Sequence, residues 1–252
     1  MVGADGSPLH YGAPVPIGVA FGLCSAILTA VITEVYCHRC LAHRAFGVAP
    51  AVASVLDVYF RVVVWTEPES WAAVHRLHHR YADTPADPHS PRQRHPLAVL
   101  VGSPYLFAMA RRRLPVGTPP GRAVVVLRAA AIAFPFVVFG LVQGLTVVVV
   151  HLVCYLGIMG MVNTLGHLYG RKPHADLPGY DLAWLAIPLL GHGYHNSHHA
   201  HPAAPRTGPL DPIWPLLRLL AALGAVELDE RQAHRPSRAC CGASASLAGG
   251  PS

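Results

Sequence analysis

The sequence predicts an all-α integral membrane protein, a small bundle of about three transmembrane helices. Three observations lead to this fold class. The composition is 52% hydrophobic and only 13% charged, which is unusual for a soluble chain of 252 residues. Two apolar blocks are long enough to cross a bilayer. The basic residues are distributed unevenly around those blocks, as in multi-pass membrane proteins.

The first apolar block, residues 15–37, has the length of one transmembrane helix. The second block, residues 123–165, is about twice as long and has Gly140 and the Gln143–Gly144 pair near its centre. It predicts a helical hairpin with spans at 123–142 and 145–165. We therefore expect a short outer segment at 1–14, one membrane domain at 15–232 and a disordered tail at 233–252.

Shorter apolar segments connect and follow these blocks. Residues 48–65 and 97–110 are interrupted or brief, so they are predicted to be interfacial helices rather than full spans. Residues 182–190 are too few to cross a bilayer, while residues 213–223 have helical periodicity. We expect both of these segments near the membrane surface.

The positions of lysine and arginine predict the orientation. Neither residue occurs before Arg39 or at the hairpin turn, and nearly all of them follow the first helix or the hairpin. Because cytoplasmic segments carry the excess of positive charge, the N-terminus should be outside. Residues 38–122 and the C-terminal third should be cytoplasmic, which places every histidine motif at the cytoplasmic face of a multi-pass protein.

Histidine is unusually abundant, with 17 residues, and much of it occurs at the spacing of metal ligands. Four motifs stand out: His38-Arg-Cys-Leu-Ala-His43, His75-Arg-Leu-His78-His79, Asn163-Thr-Leu-Gly-His167 and His195-Asn-Ser-His198-His199. On an α-helix each HxxHH motif fans three imidazoles over about 100° of one face. Each of these motifs can therefore direct three ligands into one site.

The other two motifs have different helical geometry. His38 and His43 would diverge by about 140° on an α-helix, which favours donation to two neighbouring metals. Asn163 and His167 share a face, so the amide can hold a water beside a ligand. Nine imidazoles and one amide exceed what one tetrahedral zinc uses, which disfavours a zinc hydrolase. They suit two metals with one position left open for oxygen.

The motifs HRCLAH, HRLHH and HNSHH, with NTLGHLYG, resemble the histidine boxes and asparagine site of the membrane fatty-acid desaturase family, particularly its acyl-CoA and bacterial acyl-lipid branch. The resemblance covers residues 31–231. It implies two Fe²⁺ ions, and the metal ligands are the only catalytic residues expected. One iron would take His38, His75, His78, His195 and His198, and the other His43, His79, His167 and His199, with Asn163 holding a water.

The same resemblance implies a cytoplasmic helical cap, an apolar tunnel and the use of molecular oxygen with two external electrons. The substrate would be a fatty acyl thioester of CoA or acyl-carrier protein, or a lipid. The electron donor would be of the ferredoxin, rubredoxin or cytochrome b5 type, and no nucleic acid partner is expected. Trp71 would line the tunnel, and Glu34 and Asp87 would support ligands, although Glu34 could instead pair with an arginine.

The chain departs from the family pattern in three places. The segment 202–212 after the third box is shorter than usual and contains no aromatic residue. The chain has room for one spanning helix before the first box, where the family commonly has two. It has His192 where the family commonly has an acidic residue before the third box. Glycines on both sides of His192 weaken a helix there, so we expect this histidine to have a supporting or surface role rather than to be a tenth imidazole ligand.

Three alternatives stay open at the level of sequence. Desaturation is the preferred reaction, but the same metal site could hydroxylate an acyl chain or convert an alkene to an alkyne. A different class of protein, a histidine-rich metal transporter, would place its ligands near the bilayer midplane within broken helices. The histidines here lie instead at helix ends and in cytoplasmic segments.

Overall fold

The computed structural model describes residues 16–228, and this part of the chain is mostly helical, as predicted. The elements in order are α1 (Pro16–Ile32), a π-helical continuation (Thr33–Ala42), β1 (Gly47–Val48), α2 (Pro50–Val63), α3 (Pro68–Tyr81), α4 (Pro96–Arg111), α5 (Arg122–Leu168), a 3₁₀ turn (Ala183–Leu185), α6 (His195–Ala200), α7 (Ile213–Ala222) and β2 (Val226–Glu227). The expected outer segment and the expected tail lie outside the described residues.

Proline begins the three helices between the long apolar segments. Pro50, Pro68 and Pro96 each stand in the first turn of α2, α3 and α4. Proline is favoured there because its fixed φ suits a helix and its missing N–H would have no partner in the first turn. The predicted interfacial segments 48–65 and 97–110 thus correspond to α2 and α4.

Helix α5 is a hairpin whose two arms meet at Gly140. This glycine has φ 75° and ψ 175°, which no helix contains and which favours glycine. A Cβ built on Gly144 would lie 2.8 Å from the Cα of Phe136, whereas eight residues of continuous helix would separate these positions by about 12 Å. The arms therefore fold back on each other. The turn lies at Gly140, three residues before the Gln143–Gly144 pair, which is the predicted boundary between the two spans.

Helix α1 packs along the second arm of α5 and runs in the same direction. The N–H of Gly18 donates to Oε1 of Gln143, Ser25 Oγ lies 2.9 Å from Nδ1 of His151, and later contacts follow in the same order. Hydroxyl and imidazole groups join the helices where an apolar solvent would leave them unsatisfied. Because the directions agree, the ends of α1 and α5 that carry histidines lie at the same end of the bundle.

Two helices in the described region are long and apolar enough to cross a membrane, Ile17–Ala42 and Arg122–Leu168. Large apolar side chains on α5 face outward, and Val137, Leu141 and Val142 are 81%, 75% and 71% exposed. An apolar surface of this extent is rare on a soluble monomer and is typical of a surface that faces lipid.

Helix α4 approaches the second arm of α5 at Gly160. A Cβ on Gly160 would overlap the backbone carbonyl oxygen of Leu100. Since the obstacle is backbone, it cannot move away as a side chain could. Gly160 thus sets how closely α4 approaches the helix that carries His167.

We expect Gly160→Ala to destabilise the protein by about 1–3 kcal/mol, because the added methyl group overpacks the contact between α4 and α5. Gly157→Ala is the matched control, since it lies one turn earlier on the same helix with nothing within 4 Å of its Cβ position. The control should be neutral or stabilising by up to about 1 kcal/mol. Unfolding of the two detergent-solubilised variants would measure both effects, and equal stability would contradict the assigned contact.

Candidate metal centre

Nine histidines from separate parts of the chain converge at the ends of α1 and α5. Each offers a ring nitrogen, and the atoms of each group lie within 4.8 Å of one another. The five-histidine group contains His38, His43, His75, His79 and His198, and the four-histidine group contains His78, His167, His195 and His199. All nine histidines singled out from the sequence are therefore brought together, in two adjacent groups.

The distances between the Nε2 atoms suit metal coordination. In the five-histidine group His43 and His75 are 2.9 Å apart, and His198 lies 3.1 Å from His38. In the four-histidine group His195 and His167 are 2.8 Å apart. Adjacent ligands around an ion with bonds of about 2.1 Å stand about 3.0 Å apart in octahedral geometry.

One ring nitrogen strengthens the case for a metal. The Nε2 of His78 is buried and has no hydrogen-bond partner in the described part of the chain. A buried polar atom without a partner is costly, so it calls for a ligand. Imidazole donors in this number suit iron, zinc, copper or nickel ions more than calcium or magnesium, which prefer oxygen.

The expected divergence of His38 and His43 is wrong, because the backbone there is not an α-helix. Residues Thr33–Ala42 form a π-helix, and the N–H of His43 donates to the carbonyl of His38 over 3.1 Å. This five-residue hydrogen bond places residues i and i+5 on one face. The two imidazoles lie with ring centres 4.7 Å apart and belong to the same group.

The division of ligands implied by the family resemblance also differs from the observed one. His43 and His79 lie with His38 and His75 in the five-histidine group. Helix α3 therefore sends the first and last histidines of its motif to one group and His78 to the other. The π-helix explains why His43 lies in the same group as His38. In α3, successive residues are rotated by 100°, so His78 and His79 point towards different groups.

Carboxylates contact the other ring nitrogen of three of these histidines. Glu34 lies 2.9 Å from Nδ1 of His38, Asp87 3.0 Å from Nδ1 of His78, and Asp83 3.2 Å from Nδ1 of His167. The hydrogen bond between Asp87 and Nδ1 of His78 fixes the tautomer of that ring and leaves its Nε2 lone pair free for a metal, whereas Glu34 and Asp83 approach their histidines at ion-pair distance. Glu34 and Asp87 were candidates from the sequence. Asp83 follows the second motif as Asp87 does, but the spacing does not predict its contact with His167, which lies more than 80 positions later.

Burial keeps the imidazoles of the α3 and α6 motifs neutral and so available as ligands. It lowers the pKa of each histidine of the α3 and α6 motifs, with a further decrease from neighbouring imidazoles, and for His79 the pKa falls to about 3. Burial raises the pKa of Asp87 to about 6, which still leaves this carboxyl mainly ionised at neutral pH. Neutral rings backed by a carboxylate are the forms that bind metal.

The third motif lies on a helix of only six residues, which needs support from outside. The side-chain amide of Asn196 bonds to backbone groups of His174, Leu177 and Pro178. The carboxylate of Asp181 accepts from the backbone N–H of Ser197 over 3.0 Å. Polar contacts to the 174–181 loop therefore hold α6 in place. Asn196 stood inside a recognised motif, but its partners could not be read from spacing.

His192 has a supporting position and not a surface one. Its side chain is only 9% exposed, and its Nε2 contacts Oε2 of Glu34, the oxygen that also lies beside His38. The residue precedes α6 and has no helical continuity with His195. The carboxylate of Glu34 thus stands between a histidine of the first motif and the segment that enters the third.

A cavity of about 580 Å³ adjoins the histidine groups. Trp71, Asn163 and His75 line it, and the Trp71 ring stacks on His75 at 5.1 Å. Along α5 its wall consists of His151, Leu152, Tyr155, Leu156, Met159, Val162 and Asn163. These residues form one face over about 18 Å of helix, so the cavity is elongated and mainly apolar. The sequence candidates Trp71 and Asn163 therefore both line the cavity.

Two all-histidine groups beside an elongated cavity, at the end of helices that could span a membrane, define a helical protein with a candidate metal site. The comparisons with known proteins are more specific. The profile of the fatty acid desaturase family matches residues 13–221, and the chain belongs to this family.

Three relatives illustrate the range of the family. The chain is 26% identical over 212 residues to a hex-5-enoyl-[acyl-carrier protein] acetylenase of Moorena producens, covering 73% of this chain and 65% of the relative. It is 26% identical to delta-9 acyl-lipid desaturase 2 of Arabidopsis thaliana, covering 64% and 56%. It is 29% identical to an acyl-CoA C20 delta5-desaturase of Anemone leveillei, covering 64% and 55%. The matches thus span between half and two thirds of these relatives.

We expect His192→Gln to retain both metals with at most about a 10- to 100-fold loss of affinity, because the residue acts through Glu34. His195→Gln should lose metal from the four-histidine group, since it removes a ring nitrogen that lies 2.8 Å from that of His167. Metal analysis of the two purified variants measures the difference. Equal metal loss in both would show that His192 is itself a ligand.

Proposed function

We propose that the protein catalyses oxygen-dependent desaturation of a fatty acyl chain at a histidine-ligated di-iron centre. The observation that carries the proposal is the juxtaposition of two all-histidine groups with an elongated, mainly apolar cavity. Membership of the fatty acid desaturase family supports the same reaction class. The overall change converts –CH₂–CH₂–, O₂, two electrons and two protons into –CH=CH– and two molecules of water.

The observed groups suggest which residues would hold each iron. The five-histidine group would bind one ion and the four-histidine group the other, with Asn163 holding a water near the second ion. Bound iron would activate O₂, which is the oxidant for removing hydrogen from an unactivated methylene. The carboxylates of Glu34, Asp83 and Asp87 hold the ring nitrogens that face away from the metals.

The cavity would bind and orient the acyl chain. Its wall offers Val74, Leu156 and Met159 as apolar contacts, which favour burial of methylene groups. Trp71 stacks on His75, so it would fix the chain beside the metal ligands. In this proposal the cavity determines which carbons lie closest to the histidines.

The substrate carrier and electron donor are also proposals. The relatives are named for acyl-carrier protein, acyl-CoA and acyl-lipid substrates, so a fatty acyl thioester or a lipid fits this chain. Arg111 and the exposed Arg112 line the cavity and would suit an anionic carrier. A ferredoxin, a rubredoxin or a cytochrome b5-type protein would deliver the electrons.

A second candidate reaction is the conversion of an alkene to an alkyne. The Moorena producens relative is named as an acetylenase, which favours this alternative over acyl hydroxylation. Transport of metal ions is a further alternative from a different class. It has less support, because the ligands form two compact groups at helix ends, and metal uptake by proteoliposomes would be required to sustain it.

Expression in a host that lacks desaturases should yield unsaturated acyl chains, and the purified protein should carry about two irons per chain. Fatty acids and acyl thioesters are analysed by mass spectrometry and iron by elemental analysis. His195→Gln is the control and should give neither product nor full iron content. One tightly bound zinc that iron loading cannot replace would contradict the proposal, and an alkyne product would select the second reaction.

We also propose a multi-pass protein whose N-terminus faces outward and whose histidine groups face the cytoplasm. The parallel course of α1 and the second arm of α5 supports this arrangement, as does the distribution of basic residues. Reporter fusions at His95 and at the C-terminus should be cytoplasmic, and a fusion at Gly140 should be external. A fusion at His95 that reports an external position would reject the topology.

A further inference from the structure

The side chain of Arg39 is buried between the histidine motifs. It lies inside the first motif and is 1% exposed. Its five N–H donors have five hydrogen bonds: Nε to Glu34, Nη1 to Asp211 and to the carbonyl of Pro205, and Nη2 to Asp211 and to the carbonyl of Leu190. Since a guanidinium has five such donors, the group is fully satisfied. Nothing in this arrangement leaves a donor for substrate or solvent.

The bonds of Arg39 divide between two carboxylates with different roles. Asp211 binds two guanidinium nitrogens at 2.8 and 3.1 Å, in the bidentate geometry that arginine favours. Glu34 gives one oxygen, Oε1, to Nε at 2.6 Å. Its other oxygen lies beside Nδ1 of His38 and Nε2 of His192. Arg39 therefore holds the carboxylate that contacts a candidate metal ligand.

The other half of the arrangement holds the chain that follows the third motif. Asp211 also accepts from the backbone N–H groups of Thr207 and Ile213, each at 3.0 Å. Together with the bond to Pro205, these contacts fix residues 205–213 against the π-helix. The segment before the third motif is fixed as well, through Leu190 and His192. Arg39 thus joins the first motif to both flanks of the third.

We propose that Arg39, together with Asp211, is a positioning residue for the metal centre. It orients the Glu34 carboxylate, so that His38 presents Nε2 to the five-histidine group and the segment entering α6 is held for the four-histidine group. The proposal rests on the metal centre proposed above. It adds that this centre depends on a buried ion network, which the spacing of the histidines does not predict. A buried ion pair alone is weak evidence of stabilisation, whereas a pair that holds a ligand-orienting carboxylate affects metal affinity directly.

The test uses full-length protein in detergent with Co²⁺ as the probe. The main variant is Arg39→Met/Asp211→Leu, which replaces the buried pair with apolar side chains and often preserves folding. The matched control is Arg61→Met/Asp57→Leu, which removes an i,i+4 ion pair of α2 that is about one quarter exposed, together with the contact of Arg61 to Glu69 in the first turn of α3. Arg39→Lys keeps the charge but loses the planar fork.

We expect the main variant to bind Co²⁺ about 10- to 100-fold more weakly in competition with a chelator and to show an altered ligand-field spectrum. Arg39→Lys should be intermediate, and the control pair should match the parent in affinity and spectrum. If the double variant does not fold, the Co²⁺ affinity and spectrum of Arg39→Lys are compared with those of the parent instead. Metal-free unfolding temperatures separate a loss of stability from a change in the metal site.

Two outcomes would overturn different claims. A parent protein that binds no Co²⁺ or Fe²⁺ would reject the metal centre and hence the proposed function. A parent that binds two ions, with Arg39 variants of unchanged affinity and spectrum, would reject only the positioning role. The latter result, accompanied by a lower unfolding temperature, would assign Arg39 a purely structural role.

Discussion

The need to bury nine imidazoles close together, with their Nε2 atoms converging, governs this structure. Neutral rings at this spacing direct lone pairs towards one another, so the arrangement requires both a central ligand and rigid support behind each ring. For three of the rings a carboxylate lies behind the metal-facing nitrogen, Glu34 in the π-helix and Asp83 and Asp87 in the segment after α3. The parallel packing of α1 on α5 then brings the first motif and His167 to the same end of the bundle.

The apolar cavity acquires its position from the same packing. Trp71 precedes His75 by one turn of α3, and Asn163 precedes His167 by one turn of α5. Each of these two cavity residues therefore lies one helical turn from a histidine of the two groups. A molecule in the cavity would therefore contact the residues that hold the ligands. This proximity also makes the close approach at Gly160 relevant to chemistry, because it sets the separation between two of the cavity walls.

Local sequence patterns predicted the elements and the candidate ligands, since apolar length and histidine spacing are local properties. They failed where geometry depends on backbone winding or on distant partners. The separation of five positions between His38 and His43 predicted diverging rings on an α-helix, but the hydrogen bonds of the π-helix place both rings on one face. The hairpin was predicted, whereas its turn lies at Gly140 because this residue has a positive φ. Arg39 and Asp211 are 172 positions apart, and no periodicity connects them.

The π-helix also changes the angle between the face of α1 that lies before it and the face that carries His38 and His43. Over ten residues its winding lags behind that of an α-helix by roughly half a turn. The face that carries His38 and His43 therefore lies about half a turn from where a continuous α-helix would place it relative to the face of α1 up to Ile32. Apolar residues facing lipid and histidines facing the metal centre can thus occupy one continuous segment at an angle that α-helical periodicity does not give.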